Sequence, residues 1–151
     1  MADSLYFEDF QIGDVFESPS RSITEADIVN FAGLSGDYNL IHTDIEFAKN
    51  SIFGERIAHG ILGLSIASGL FTRTDVNRRM SKTLIALMGI ESWNFLAPIK
   101  IGDTLHLIIE ILDKKETSKP NRGIVRFKRM VSNQHGETVQ EGITPMMILK
   151  K

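Results

Sequence analysis

Ala58-His59-Gly60-Ile61-Leu62-Gly63-Leu64-Ser65-Ile66-Ala67-Ser68-Gly69-Leu70-Phe71 carries no charge from Gly60 onward and alternates small residues with large apolar ones. The run is too long for an ordinary strand. A helix that is apolar on nearly all faces is a helix buried on nearly all faces. Glycine inside a helix costs up to about 1 kcal/mol relative to alanine, so three of them imply close approach by other backbone. The rest of the chain has to be arranged around this element.

Downstream, residues 83–90 form a continuous apolar run, the pattern of a strand covered on both faces. Leu105, Leu107, Ile109 and Ile111 alternate with His106, Ile108 and Glu110, which predicts a half-buried strand. Residues 124–131 alternate as well, with Arg126 and Lys128 on one face. Residues 113–123 read as a long hairpin connection. Asn133-Gln134-His135-Gly136 reads as a hairpin turn into a last strand over residues 138–149, where Pro145 predicts an edge or a bulge. Upstream, the chain reads mainly as helices. Thr24-Glu25-Ala26-Asp27 has the form of a capped helix start; Ile28, Val29, Phe31 and Ala32 follow at helical spacing, and Gly33 and Gly36 end the pattern. A second short helix is expected from Thr43, with Ile45, Phe47 and Ala48 facing inward. The sum is an α+β chain: a largely antiparallel sheet wrapped around a long buried central helix, the arrangement called a hot dog. Residues 1–151 read as a single domain, because a boundary in the 113–123 loop would leave about 30 residues, too few to hold a core.

Composition narrows the function classes. With 151 residues, 42% hydrophobic and 24% charged, the chain can bury enough apolar surface to offset the entropy of ordering. The formal net charge of −2 argues against nucleic acid as a partner. The absence of cysteine excludes disulfides and thiolate zinc sites. The acidic N-terminus does not resemble a signal peptide, and no apolar run approaches the roughly 20 residues of a membrane span. The expectation is a soluble cytoplasmic protein that engages no membrane. Four histidines at 42, 59, 106 and 135 lack ligand-like spacing, so no metal is expected.

The segment Ser35-Gly36-Asp37-Tyr38-Asn39-Leu40-Ile41-His42 sits between two expected helices. Asp37 and His42 are five apart and would not share a face of a regular helix, but a bent loop brings them together. An imidazole beside a carboxylate is suited to moving protons near pH 7. Asp and Asn after Gly also form turns through their own backbone bonds, and that reading stands beside the catalytic one. His59-Gly60 falls at the start of the central helix, where unpaired N–H groups point outward at the positive end of the dipole. An oxygen that gains charge could be held at Gly60, where no side chain obstructs it. Alternatively, Gly60 serves packing and His59 is a satisfied helix-start residue.

Taken together, Ser35 to His42 followed by Ile57-Ala58-His59-Gly60-Ile61-Leu62 resembles the MaoC-like, or (R)-specific enoyl-CoA hydratase, family. The opening Tyr6-Phe7-Glu8-Asp9-Phe10-Gln11-Ile12-Gly13-Asp14 and the later stretch from Phe95 to Leu105 are similar to it too. The one departure is Leu40, where the family has proline. The resemblance implies reversible addition of water to a trans-2-enoyl-CoA, with Asp37 and His42 as the acid–base pair and the Gly60 N–H on the thioester oxygen. It implies substrate-binding roles for Asn39, His59 and Ser68. Coenzyme A belongs to the substrate, so no separate cofactor is expected; Arg78, Arg79, Lys82, Arg126 and Lys128 are candidates to meet its phosphates. It also implies a homodimer, or a higher homo-oligomer, with the site at or near the interface. Two other readings remain: an acyl-CoA thioesterase, and a non-catalytic subunit that binds acyl-CoA.

Overall fold

The alternation in the second half of the chain becomes the spine of one antiparallel sheet. The computed structural model describes residues 4–151. Two short strands, β1 (Val15–Glu17) and β2 (Arg21–Ser22), precede the helices α1 (Glu25–Ser35), α2 (Leu40–Thr43), α3 (Ile45–Lys49), α4 (Gly60–Thr72) and α5 (Asp75–Met80). Five strands follow: β3 (Leu84–Leu87), β4 (Ser92–Phe95), β5 (Thr104–Glu116), β6 (Arg122–Ser132) and β7 (Thr138–Leu149). The order is β1-β5-β6-β7-β3, with β2 also on β5 and β4 also on β7, every pair antiparallel.

The inward positions of β5 (Leu105, Leu107, Ile109, Ile111) and of β6 (Val125, Phe127, Val131) are fully buried. Together with Leu62, Ile66, Ala67, Leu70 and Phe71 of α4 they form one core. Burying each large apolar side chain contributes roughly 1.5–3 kcal/mol. Phe127 meets the edges of Phe10 and Phe71 at centroid distances of 5.8 and 5.9 Å. Arg129, on the same inward face of β6, lies with its guanidinium 4.1 Å from the centre of the Phe71 ring; burial pushes its pKa down to about 10. The sheet curled on a central helix is the hot-dog arrangement. No described helix is long and apolar enough to cross a membrane.

Several expectations need correction. Helix α4 is not buried all round: the sheet covers one side, and Ile61, Ser65, Ser68, Gly69 and Thr72 are exposed on the other. The close approach at its glycines is made by side chains, not backbone. A Cβ at Gly63 would collide with Gln140 and Ile99, one at Gly60 would lie 2.8 Å from the Phe95 ring, and one at Gly69 would meet nothing. The apolar run at 83–90 yields the edge strand β3, with Ile85 and Leu87 exposed; among the described residues no strand pairs its outer side.

Pro145 lies in the interior strand β7, not at an edge. It is tolerated because its nitrogen faces the break between β3 and β4, while its carbonyl accepts from Met88 at 2.9 Å. The hairpin between β5 and β6 is shorter than expected, since both strands extend into residues read as loop. Gly33 lies inside α1, and only Gly36 ends it. The second helix is split at Asp44, and of its three inward candidates only Ala48 is buried. The turn at 133–136 forms as expected, with the Gly136 N–H donating to Asn133 O at 3.1 Å.

Candidate active site

Gly36 sets the site's geometry. It ends α1 in the left-handed region (φ 75°, ψ 8°), its N–H donating to Ala32 O, a conformation that carries a steric penalty for any residue with a Cβ. The chain turns there and delivers Asp37 at once. Asp37 Oδ1 accepts from the Asn39 N–H at 3.2 Å, and Asn39 Oδ1 accepts from the Ile41 N–H at 3.3 Å. These two local bonds are the turn chemistry that Asp and Asn favour, and the second caps α2. The turn reading and the catalytic reading of this segment are therefore compatible: the turns aim the side chains.

Helix α2 carries His42. Its Nδ1–H donates to the Ile57 carbonyl at 2.7 Å, which leaves Nε2 with its lone pair. His59 donates its Nε2–H to the backbone carbonyl of Asp37 at 2.9 Å. The two imidazole rings stack with centroids 3.9 Å apart and planes tilted by 30°. One ligand-type atom from each of Asp37, His42 and His59 lies within 4.8 Å of the other two. Each ring already spends one N–H on a backbone carbonyl, His42 on Ile57 and His59 on Asp37, which leaves one ring nitrogen of each for other partners. Burial pushes the His42 pKa below its ordinary 6.5; the Ile57 carbonyl opposes this, His59 adds to it and Asp37 opposes it.

His59 is the N-cap residue of α4 yet makes no side-chain cap bond. The amides that open the helix are thus not taken by their own cap. Gly60, the first helical residue, lines a cavity of about 400 Å³ together with His42, Ile61, Phe95, Ile99 and Gln140. A larger hollow of about 730 Å³, near Tyr6, Asp9 and Lys151, holds none of these groups. Asp37 and Asn39 are exposed beside the cavity's His42. Ser68 is exposed on α4, eight residues and about 12 Å from Gly60 at 1.5 Å per residue, and does not line the cavity. Among the basic candidates, Arg78 pairs with Asp75, Arg126 with Glu91 and Asp113, and Lys128 with Glu141.

Two contributors went unnoticed in the sequence. Gln140 is buried on β7, donates from Nε2 to Gly60 O at 3.0 Å and accepts from Trp93 Nε1 at 2.9 Å. A readable signal existed, because glutamine at an inward position of an alternating strand needs a partner. The Ile57 carbonyl left no such signal, since it acts through its backbone.

A curled sheet around one helix, with a carboxylate, two imidazoles and open helix-start amides at one end, defines a hot-dog protein with a polar site beside an apolar cavity. The chain belongs to the family of the MaoC-like domain, whose sequence model matches residues 9–135. It is 44% identical over 117 residues to Protein MaoC of Klebsiella aerogenes, covering 78% of this chain but only 33% of that one. To the (R)-specific enoyl-CoA hydratase of Rhodospirillum rubrum it is 33% identical over 150 residues, covering 97% of this chain and 96% of that one. A crystal structure of the MaoC-like dehydratase from Rhodospirillum rubrum superposes with a TM-score of 0.87 at 28% identity, over 98% and 99% of the two chains. In fold alone, the chain matches 45% of a Mycobacterium tuberculosis protein with a double hot-dog fold, at a TM-score of 0.83 and 18% identity over 98% of this chain.

Proposed function

We propose that this protein is a hydro-lyase that reversibly adds water to a trans-2-enoyl-CoA, giving an (R)-3-hydroxyacyl-CoA. One observation carries the reading. The His42 Nδ1–H is committed to Ile57, so Nε2 keeps its lone pair; a ring nitrogen of His42 lies within 4.8 Å of an Asp37 carboxylate oxygen, and His42 shares a cavity wall with the bare helix start at Gly60.

In the hydration direction, Asp37 and His42 hold a water molecule and take one proton from it as its oxygen bonds to C3. The electron pair of the double bond moves toward the thioester, whose oxygen becomes an enolate. The Gly60 N–H donates to that oxygen, a stabilisation of about 3–4 kcal/mol by the scale of other oxyanion holes. The pair then delivers a proton to C2. Gln140 holds the Gly60 carbonyl and so fixes the peptide that follows the donor. The apolar wall of Phe95, Ile99 and Ile61 suits an acyl chain.

The working unit in this proposal is a homodimer. Among the described residues nothing pairs the outer side of β3, a strand with exposed Ile85 and Leu87, an edge that folded proteins normally cover. A second copy does this, and also lies against the exposed side of α4 with Ser68. Gel filtration at micromolar concentration should give twice the chain's mass, and a monomer would overturn this part.

The activity is tested with crotonyl-CoA. Loss of enoyl absorbance without free thiol, with (R)-3-hydroxybutyryl-CoA as product, supports the proposal. Thiol release without hydroxyacyl product makes the protein a thioesterase. Binding without turnover by the folded dimer makes it an acyl-CoA-binding subunit.

A further inference from the structure

The structure assigns His59 a positioning role: its imidazole sets the Asp37 backbone by hydrogen bond and the His42 ring by stacking, without touching substrate. This departs from the substrate-binding role implied by resemblance, and it rests on the proposed hydration.

Three observations bear on it. First, His59 is only 2% exposed and is not among the residues lining the cavity, so its ring has no route to a thioester. Second, it is tied to each working part of the site. It donates to the Asp37 carbonyl, stacks on His42 and precedes Gly60 in the chain, while Phe31 backs it at 4.9 Å. Third, the N-cap position it occupies is one where Ser, Thr, Asp or Asn would stabilise a helix by accepting from its first amides. His59 makes no such bond, and its Nδ1 is buried without a partner. An unpaired buried nitrogen and an uncapped helix are both unfavourable, and what the residue supplies in return is the Nε2–H directed at Asp37. Asp37 follows a left-handed glycine and is exposed; its N–H donates to Ser35 Oγ at 3.1 Å, and the bond from His59 ties its carbonyl to the start of α4.

The two parts of the role separate by substitution. His59→Gln places an amide N–H near the position of Nε2 and keeps the bond to Asp37 while losing the ring. His59→Phe keeps a ring against His42 and Phe31 and loses the bond. Displacing a reacting group by about 1 Å costs on the order of 100-fold in rate. His59→Phe should therefore lower kcat for crotonyl-CoA hydration about 100-fold with KM within about twofold, whereas His59→Gln should keep kcat within about tenfold of the parent. A structural or space-filling role predicts the reverse order, since phenylalanine fills the site better. Equal losses, or a folded His59→Phe protein with parental kcat, would overturn the inference.

A second readout needs no turnover. The ¹⁵N spectrum of the unsubstituted protein should show His59 as the Nε2–H tautomer, and an Nδ1–H tautomer would overturn the inference. That tautomer in a protein without hydratase activity would end the proposed function and leave the His59–Asp37 tie standing. Hydratase activity with the other tautomer would do the opposite.

Discussion

The sheet of β5, β6 and β7 and the segment from Gly36 to Gly60 are built on opposite principles. In the sheet, residues distant in sequence meet through a repeating pattern, and each inward side chain does the same work as its neighbours. In the segment, hardly any contact repeats. Asp37 is held by His59, His42 by Ile57 and Gly60 by Gln140, each through one hydrogen bond to a backbone carbonyl. The sheet distributes stability over many equivalent contacts, whereas the segment concentrates geometry in a few unique ones. Damage to the first should therefore show as unfolding, and damage to the second as lost turnover in a folded protein.

The largest expected effect tests the second half of that contrast. Asp37→Asn keeps an Oδ1 to accept from Asn39 and removes the charge. It should lower kcat/KM by about 10²–10⁴-fold, the range of general acid–base catalysis. As an exposed substitution it should leave stability within about 0.5 kcal/mol, measured by urea unfolding. Full activity in this variant would dissolve the distinction between the two regions.

Phe127→Ala probes the sheet. Its ring is fully buried between Phe10 and Phe71, so truncation should cost about 3–5 kcal/mol while the activity of each remaining folded molecule stays near parental.

A smaller effect concerns pH. The native pKa of His42 lies below its ordinary 6.5, chiefly through burial. In the window between the two values the unfolded chain binds a proton and the native one does not. This contribution to stability is accordingly intact above about 6.5 and is lost as pH falls toward the native pKa. For hydration, Nε2 must be unprotonated, so the acid limb of kcat/KM should have its midpoint below 6.5. An NMR titration of the His42 ring should give the same midpoint, and a value above 6.5 would break the link between burial and catalysis.

The smallest effect sharpens the picture of the turn. Leu40 begins α2, donates no backbone hydrogen bond among those described, and follows Asn39 at φ −54°, ψ 134°, which is the extended conformation that proline demands of the residue before it. Leu40→Pro should stabilise the fold by about 0.4–1 kcal/mol through the unfolded state, measured by urea unfolding, and should not lower kcat.

Much of the fold was legible in the sequence because it rests on periodicity. The alternation at Leu105 to Ile111 and at residues 124–131, the Thr24–Asp27 cap and the turn at 133–136 are local signals, and local physics satisfies them. The candidate site was legible as a set of residue types, since the Gly-Asp-x-Asn pattern and the following His-Gly stand out. How Asp37, His42 and Gly60 are held was not, because two of the three bonds end on or begin from residues that no local pattern marks: the Ile57 carbonyl, and Gln140 some 80 positions beyond Gly60. The errors share a cause too. Residues 60–71 and 83–90 are apolar enough to be buried on every side, and composition does not say whether the covering surface lies in the same chain.

What the sequence determined alone was which faces are apolar, where the first and the central helix start and where the chain turns at 133–136, because these follow from side-chain chemistry over a few residues. What only the tertiary structure decided was which side of α4 the sheet covers, which edge is left unpaired, and which carbonyl each imidazole meets. Those outcomes depend on the closure of a curved sheet around a helix, a condition that involves the whole chain at once.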